Sequence, residues 1–221
     1  MTEAATRRRR KLAPDPDTRR VILGAAAKSV REQGVRGLSI AAVLARAELS
    51  TRAFYRHFES KDQLVSALFL EMARAETRRL RKKMAAAADP VDAVAAWIDG
   101  RLDLAFDPNI KSDLRRLSLE AQSQMFASPE LIQPAYAEML QPLIEQLEHG
   151  VDSGVFRDID PITDAQSIQG VVWASTERRW ATGEGARADI RGRVLRFCLH
   201  GLGVAPARIS GITRITADTQ H

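Results

Sequence analysis

Between Leu38 and Phe58 the chain spells two short helices joined by a tight turn, and the register of the second helix sorts its side chains into an inner and an outer set. At about 100° per residue, Tyr55 and Arg56 fall within roughly 60° of Arg52, whereas Phe54 and Phe58 lie on the opposite side. One face is apolar and the other is cationic and phenolic. Ser50 stands where an N-cap is needed, its hydroxyl able to hold one free amide while the others point outward toward an anion. Ser39 has the same position ahead of the preceding helix. Leu49, between the two, is expected to be the buried plug that sets their crossing.

The rest of the chain reads as helix after helix. A first helix is expected from Thr18 to Gln33, capped by Asp17 and stopped by Gly34, with Ile22, Ala25, Ala26, Ser29 and Val30 on its buried face. Ser60 and Gln63 form a capping box that opens a long helix carrying Leu64, Leu68 and Met72 and running into Ala85 to Ala88. Pro90 suits the first position of a helix beginning after Asp89. Further helices fall at about 90–105, 112–126, 129–152, 162–181 and 186–202, separated by Asp107-Pro108-Asn109, Ser128-Pro129, Ser153-Gly154, Asp160-Pro161 and Gly183-Glu184-Gly185. No strand alternation stands out. The stretch after Gly203 reads as a loose tail. An all-α fold follows, divided into a basic arm (1–16), a helix-turn-helix domain (17–60), a larger helical domain (61–203) and the tail (204–221).

Composition fits a globular protein, with 45% hydrophobic and 28% charged residues. Charge is uneven: residues 1–60 hold 13 Lys+Arg against 6 Asp+Glu, a net of +7, and the remainder holds 20 against 22, a net of −2. The basic excess sits with the two-helix segment, which suits a polyanion partner for that end. Arg7-Arg8-Arg9-Arg10-Lys11 either lies along a minor groove or is incidental charge on a tail. Cys198 is the single cysteine, so no intrachain disulfide can form, and a reducing cytosol fits. Arg19-Arg20 followed by Val21 to Ala27 superficially resembles a secretory signal, but the apolar run is short and Lys28, Arg31 and Glu32 follow at helical spacing, as in a folded helix. No stretch of about 18 uninterrupted apolar residues offers a spanning helix. No membrane association and no cofactor are expected.

The residues Leu38-Ser39-Ile40, Ala47-Glu48-Leu49-Ser50, Phe54-Tyr55-Arg56-His57-Phe58 and Ser60-Lys61-Asp62-Gln63-Leu64 closely resemble the N-terminal DNA-binding domain of the tetracycline-repressor (TetR) family of bacterial transcriptional regulators. The likeness covers roughly 18–68. Glu48 departs from it, since the family usually has Gly in that turn, and a non-glycine residue there implies strain. The resemblance implies a homodimer on a palindromic double-stranded operator, one recognition helix (Ser50 to His57) per major groove. Arg52 is the candidate for a base and Thr51 for a thymine methyl or a phosphate. By the resemblance Ser39, Tyr55, His57 and Lys61 go to phosphates, and Ser50 and Arg56 lie on the same DNA-facing surface.

For the larger domain the resemblance is looser and implies an unknown small-molecule effector. Candidate pocket residues are Trp97, Leu104, Met125, Phe126, Tyr136, Met139 and Trp173, which at helical spacing could equally be plain core. Of the last two long helices, one is lined by Ile168, Val172 and Trp173 with Trp180 two turns on, and the other has Val194, Leu195, Phe197, Cys198, Leu199 and Leu202 apolar over most of its circumference, so that neighbours are needed on several sides. Either the four-helix dimer interface of TetR-like proteins or the chain's own core would meet that need. Catalysis is not expected: His57, His149, His200 and His221 lack metal-ligand spacing, no serine sits in a nucleophile elbow, and Gly183-Glu184-Gly185-Ala186-Arg187-Ala188 follows a helix rather than a strand. The expectation is a cytoplasmic, ligand-responsive regulator, by family default a repressor, nucleoid-associated when on DNA. The alternative is a non-specific architectural DNA binder driven by the basic arm.

Overall fold

Asp15, Ser39 and Ser50 each start a helix by accepting a backbone amide on a side-chain oxygen, and these caps set out the N-terminal part of the chain. The computed structural model describes residues 15–107 and 112–214. Among them are ten helices and no strand: α1 (Pro16–Gly37), α2 (Ile40–Ala47), α3 (Thr51–Phe54), α4 (Lys61–Met84), α5 (Pro90–Phe106), α6 (Ser112–Ala127), α7 (Pro129–Asp152), α8 (Pro161–Thr182), α9 (Arg187–Gly201) and α10 (Pro206–Arg214). The fold is all-α, and it divides into two units at Leu68/Phe69, within α4. The arginine run at 7–11 and the last residues of the expected tail, 215–221, lie outside the described residues.

In the first unit α1 is capped by Asp15, not Asp17. The Asp15 carboxylate accepts from the Thr18 hydroxyl at 2.7 Å and from the amides of Asp17 and Thr18 at 3.2 Å, bonds that hold it below the usual carboxylate range. Pro16 takes the first helical position, where its missing N–H is not needed. Gly34, at φ 71° and ψ 174°, kinks α1 but does not end it. Ile22, Ala25, Ala26, Ser29 and Val30 are buried, as are Val43, Leu44, Phe54, Phe58, Leu64, Val65 and Leu68. Arg46 on α2 reaches back to α1, donating to Glu32 at 2.7 Å and to Ser29 at 3.2 Å.

The second unit is arranged around α5, which packs against α7, α8 and α9. Asp89 caps it through the Asp92 amide at 2.9 Å, and Val94, Trp97, Ile98 and Leu102 are fully buried. α4 stops at Met84, short of the expected Ala85 to Ala88. On α7, Gly150 meets the Phe156 ring so closely that a Cβ there would overlap it, and Phe156 is buried. Arg191 of α9 donates to both oxygens of Asp99 on α5, at 2.6 and 2.9 Å, and to the Ile212 carbonyl at 3.2 Å. Such a bidentate pair fixes orientation as well as distance.

The stretch after Gly203 is not a loose tail. It forms α10, whose Ile209 and Ile212 are buried in the core of the second unit, and Arg208 donates to Asp89 at 2.8 Å and lies 2.7 Å from Asp92. These carboxylates flank the start of α5. No helix among the described residues is long and apolar enough to cross a membrane.

Candidate nucleic-acid interface and ligand cavity

The turn between α2 and α3 closes through two backbone bonds: Leu49 N–H to the Leu44 carbonyl at 3.0 Å and Glu48 N–H to the Ala45 carbonyl at 3.4 Å. This is the Schellman arrangement, whose turning residue occupies the left-handed region. Glu48 does so, at φ 54° and ψ 39°. Leu49 is half-buried rather than a sealed plug.

Ser39 Oγ accepts from the Ala42 amide and Ser50 Oγ from the Ala53 amide, both at 3.3 Å. The expected helix from Ser50 to His57 is shorter than its register suggests. α3 ends at Phe54, and Tyr55 to His57 continue as a turn in which His57 N–H bonds the Phe54 carbonyl at 2.8 Å and Phe58 N–H the same carbonyl at 3.0 Å. Both amides converge on one oxygen, so the chain tightens where a fifth to eighth helical residue would have stood.

The sidedness is unaffected. Phe54 and Phe58 are 0% and 2% exposed, their centroids 5.6 Å apart, and the Arg19 guanidinium lies 5.6 Å from the Phe58 ring centre. Tyr55 is 59% exposed. Ser39, Ser50, Thr51, Arg52 and Arg56 are exposed, while His57 and Lys61 are half-buried. Lys61 Nζ lies 3.5 Å from the Arg36 carbonyl near the end of α1, and His57 Nδ1 is enclosed without a partner among the described residues. Ser60 accepts from the Gln63 amide at 3.1 Å, while Gln63 Oε1 takes the amide of Glu59 rather than that of Ser60.

The second unit contains a cavity of about 110 Å³. Leu104, Met125, Tyr136, Met139 and Trp173 line it, but two other candidates do not. Trp97 is fully buried in the core, and Phe126 is 84% exposed. Glu76, Arg101 and Gln169 also line the cavity and were missed. Arg101 was visible in the sequence as the one cation between Val91 and Leu104, a stretch that also carries Asp92, Asp99 and Asp103.

Arg101 Nη1 donates to Glu76 Oε1 at 2.8 Å, and Arg79 donates to both Glu76 oxygens at 2.8 Å. Arg79 also reaches the Gly100 carbonyl at 2.6 Å and Asp103 at 3.3 Å. Asp103 in turn takes Lys83, and Arg187 at 2.7 Å. Burial alone would raise the Glu76 carboxyl, but the Arg79 hydrogen bonds and the Arg101 charge outweigh it and hold the group below its ordinary value. Burial pushes the Tyr136 phenol up.

The residues expected at a dimer interface are mostly in the chain's own core. Ile168, Val172, Val194, Leu195, Cys198 and Leu202 are all buried in the single chain, where α5, α8 and α9 pack together. Trp180 is half-buried, edge-on to Trp173 at 5.7 Å and under the Arg115 guanidinium at 5.1 Å. What α9 turns outward is Arg193, Arg196, His200 and Phe197, the last 69% exposed. Among the described residues no group of three His, Cys, Asp or Glu is disposed to hold a metal.

Residues 22–68 match the family described as bacterial regulatory proteins, tetR family. Uncharacterized HTH-type transcriptional regulators of Mycobacterium bovis and Mycobacterium tuberculosis are 29% identical over 132 residues, 53% of this chain and 60% of theirs. The match therefore spans less than two thirds of these relatives. Among solved structures, the fatty acid degradation regulator FadR from Bacillus halodurans superposes with a TM-score of 0.66 at 19% identity, covering 86% of this chain and 99% of that one. FadR from Bacillus subtilis, in complex with stearoyl-CoA, gives 0.66 at 18%, covering 82% and 98%. RolR in complex with resorcinol gives 0.61 at 18%, covering 90% and 94%. At these identities the likeness is one of fold.

Proposed function

The chain belongs, by its N-terminal domain, to the tetR family of bacterial regulatory proteins, and from that premise we propose that it is a cytoplasmic, non-enzymatic transcriptional regulator that binds a palindromic operator as a homodimer. The observation that carries the reading is the division of one short segment: Arg52, Tyr55 and Arg56 exposed, Phe54 and Phe58 buried. A scaffold that buries two benzyl groups to aim a guanidinium and a phenol outward suits base reading combined with phosphate contact. Ser50 caps the element, Arg52 pairs with a base, and Thr51, Ser39, Tyr55, Arg56, His57 and Lys61 hold the backbone. Two subunits would place these segments in successive major grooves, half-site centres about 34 to 36 Å apart or a multiple of that.

Dimerisation belongs to the outward side of α8 and α9, with Phe197 at its centre, since the inward side is already filled. The cavity of the second unit takes an effector, and α4, part of which belongs to each unit, carries the effect to the DNA-reading segment. Release of DNA requires that the effector favour one of two states. The complexes of RolR with resorcinol and of the Bacillus subtilis FadR with stearoyl-CoA, which share this fold, support an effector site in it. Repression is the default mode.

The test is a mobility-shift titration of the purified chain on the DNA flanking its own coding region. A retarded band that survives excess random duplex, on a site with two-fold symmetry, is the expected result. Equal competition by operator and random duplex, with equal salt dependence, would instead favour the architectural reading.

A further inference from the structure

We propose that the cavity of the second unit takes a small, neutral, single-ring molecule bearing a hydroxyl group. The inference rests on the regulator reading only in calling that molecule the effector; its binding is independent of DNA. Size comes first. About 110 Å³ is the scale of an engineered cavity of about 150 Å³ that accepts benzene, so one ring with a small substituent fits. The walls supplied by Met72, Leu104, Ile132, Met139 and Trp173 suit an apolar body.

The polar lining selects the substituent. Arg101 and Gln169 are 6% and 4% exposed, and each keeps a buried polar atom without a partner among the described residues: the Nε–H donor of Arg101 and the Oε1 acceptor of Gln169. Buried groups left unpaired are costly, so a ligand that pairs both is favoured over one that pairs neither. A hydroxyl is donor and acceptor at once, accepting from Arg101 and donating to Gln169. A carboxylate would accept from Arg101 but leave the Gln169 oxygen unpaired. It would also lie in the cavity with the Glu76 carboxylate, which already matches the Arg101 charge at 2.8 Å. A pure hydrocarbon leaves both atoms unpaired.

The full chain is titrated with 4-methylphenol, toluene and benzoate, followed by quenching of tryptophan emission, Trp173 being in the cavity wall. We expect 4-methylphenol to bind about tenfold more tightly than toluene, and benzoate to bind more weakly than 4-methylphenol. Gln169→Leu should narrow the preference for 4-methylphenol over toluene, since the hydroxyl then keeps only its Arg101 bond, and an unchanged far-UV circular dichroism spectrum shows that the variant folds. Equal binding of 4-methylphenol and toluene, tightest binding of benzoate, an unchanged preference in Q169L, or no binding of any probe would overturn the proposal. The three-probe comparison on the unaltered chain decides the matter even if Q169L fails to fold. A chain that selects 4-methylphenol but retards no DNA keeps this inference and loses the regulator reading. The converse result does the opposite.

Discussion

The Tyr55 ring stands edge-on to the Phe54 ring, 5.3 Å between centroids and 90° between planes, one ring outside the first unit's core and the other wholly within it. Replacing them should therefore give opposite outcomes. Phe54→Ala empties a fully buried site and should cost about 3 to 5 kcal/mol. Tyr55→Phe keeps the ring contact, should leave stability within about 0.5 kcal/mol, and should weaken binding to every DNA sequence alike. Denaturant titration alongside DNA competition separates the two effects; a Tyr55→Phe variant as unstable as Phe54→Ala would contradict the assignment.

Arg52 is exposed at the start of the same segment. Arg52→Ala should lose about 1 to 3 kcal/mol on the matched operator and relax preference at one base-pair position, because a guanidinium pairs in bidentate fashion with guanine. Binding to a panel of single-position operator variants reads this directly. A uniform loss across the panel would move Arg52 to the phosphates.

Glu48 carries a side chain in a left-handed turn, φ 54°, that glycine adopts without cost. Glu48→Gly should raise stability by up to about 1 kcal/mol, the relief of strain being partly offset by the freer unfolded chain. Thermal unfolding measures it, and a fall in Tm would show that the glutamate side chain contributes more than its backbone costs.

Glu76 has its carboxyl lowered in the folded chain by Arg79 and Arg101. A lowered folded value means that the stabilisation is present above the ordinary carboxylate value of 4.5 and is lost as pH falls through the folded value. Glu76→Gln should cost about 3 to 5 kcal/mol at neutral pH, since Arg101 is left buried with its counter-charge removed, and should flatten the stability-versus-pH curve in that acid range. Denaturant midpoints from neutral pH to below pH 4.5 test both parts.

Cys198 is buried, and that burial pushes its thiol up to about 12. A disulfide reagent at neutral pH should leave it unmodified in the native chain and label it at once in denaturant. Rapid labelling of the folded protein would mean that this part of α9 opens readily.

Register and most caps were legible because they depend on neighbours in the chain: a rotation of 100° per residue separates Phe54 from Tyr55 whatever surrounds them, and Ser39, Ser50 and Asp89 each cap through the amide three positions on, whereas the cap of α1 falls on Asp15 in place of Asp17. What depends on distant partners was not legible. An apolar helix is satisfied equally by a second subunit or by its own chain, so Val194, Leu195 and Cys198 read as interface although α5, α8 and α10 pack beside α9. Trp97 and Trp173 look alike as letters, yet one is core and the other lines a cavity. α10 was overlooked because Ile209 and Ile212 are isolated among small and polar residues, and only their neighbours in space make them core. The length of α3 was misjudged for a local reason: two amides share the Phe54 carbonyl and tighten the last turn.

The docking of α10 also sets an order of events during synthesis. Everything the first unit buries has been translated once Leu68 is made, whereas the second unit waits for Ile209 and Ile212 before its apolar interior is sealed. Until then the surface of α9 that α10 covers stands open to water, so a nascent or truncated chain ending ahead of Pro206 is more exposed to aggregation and to proteases than one that carries α10.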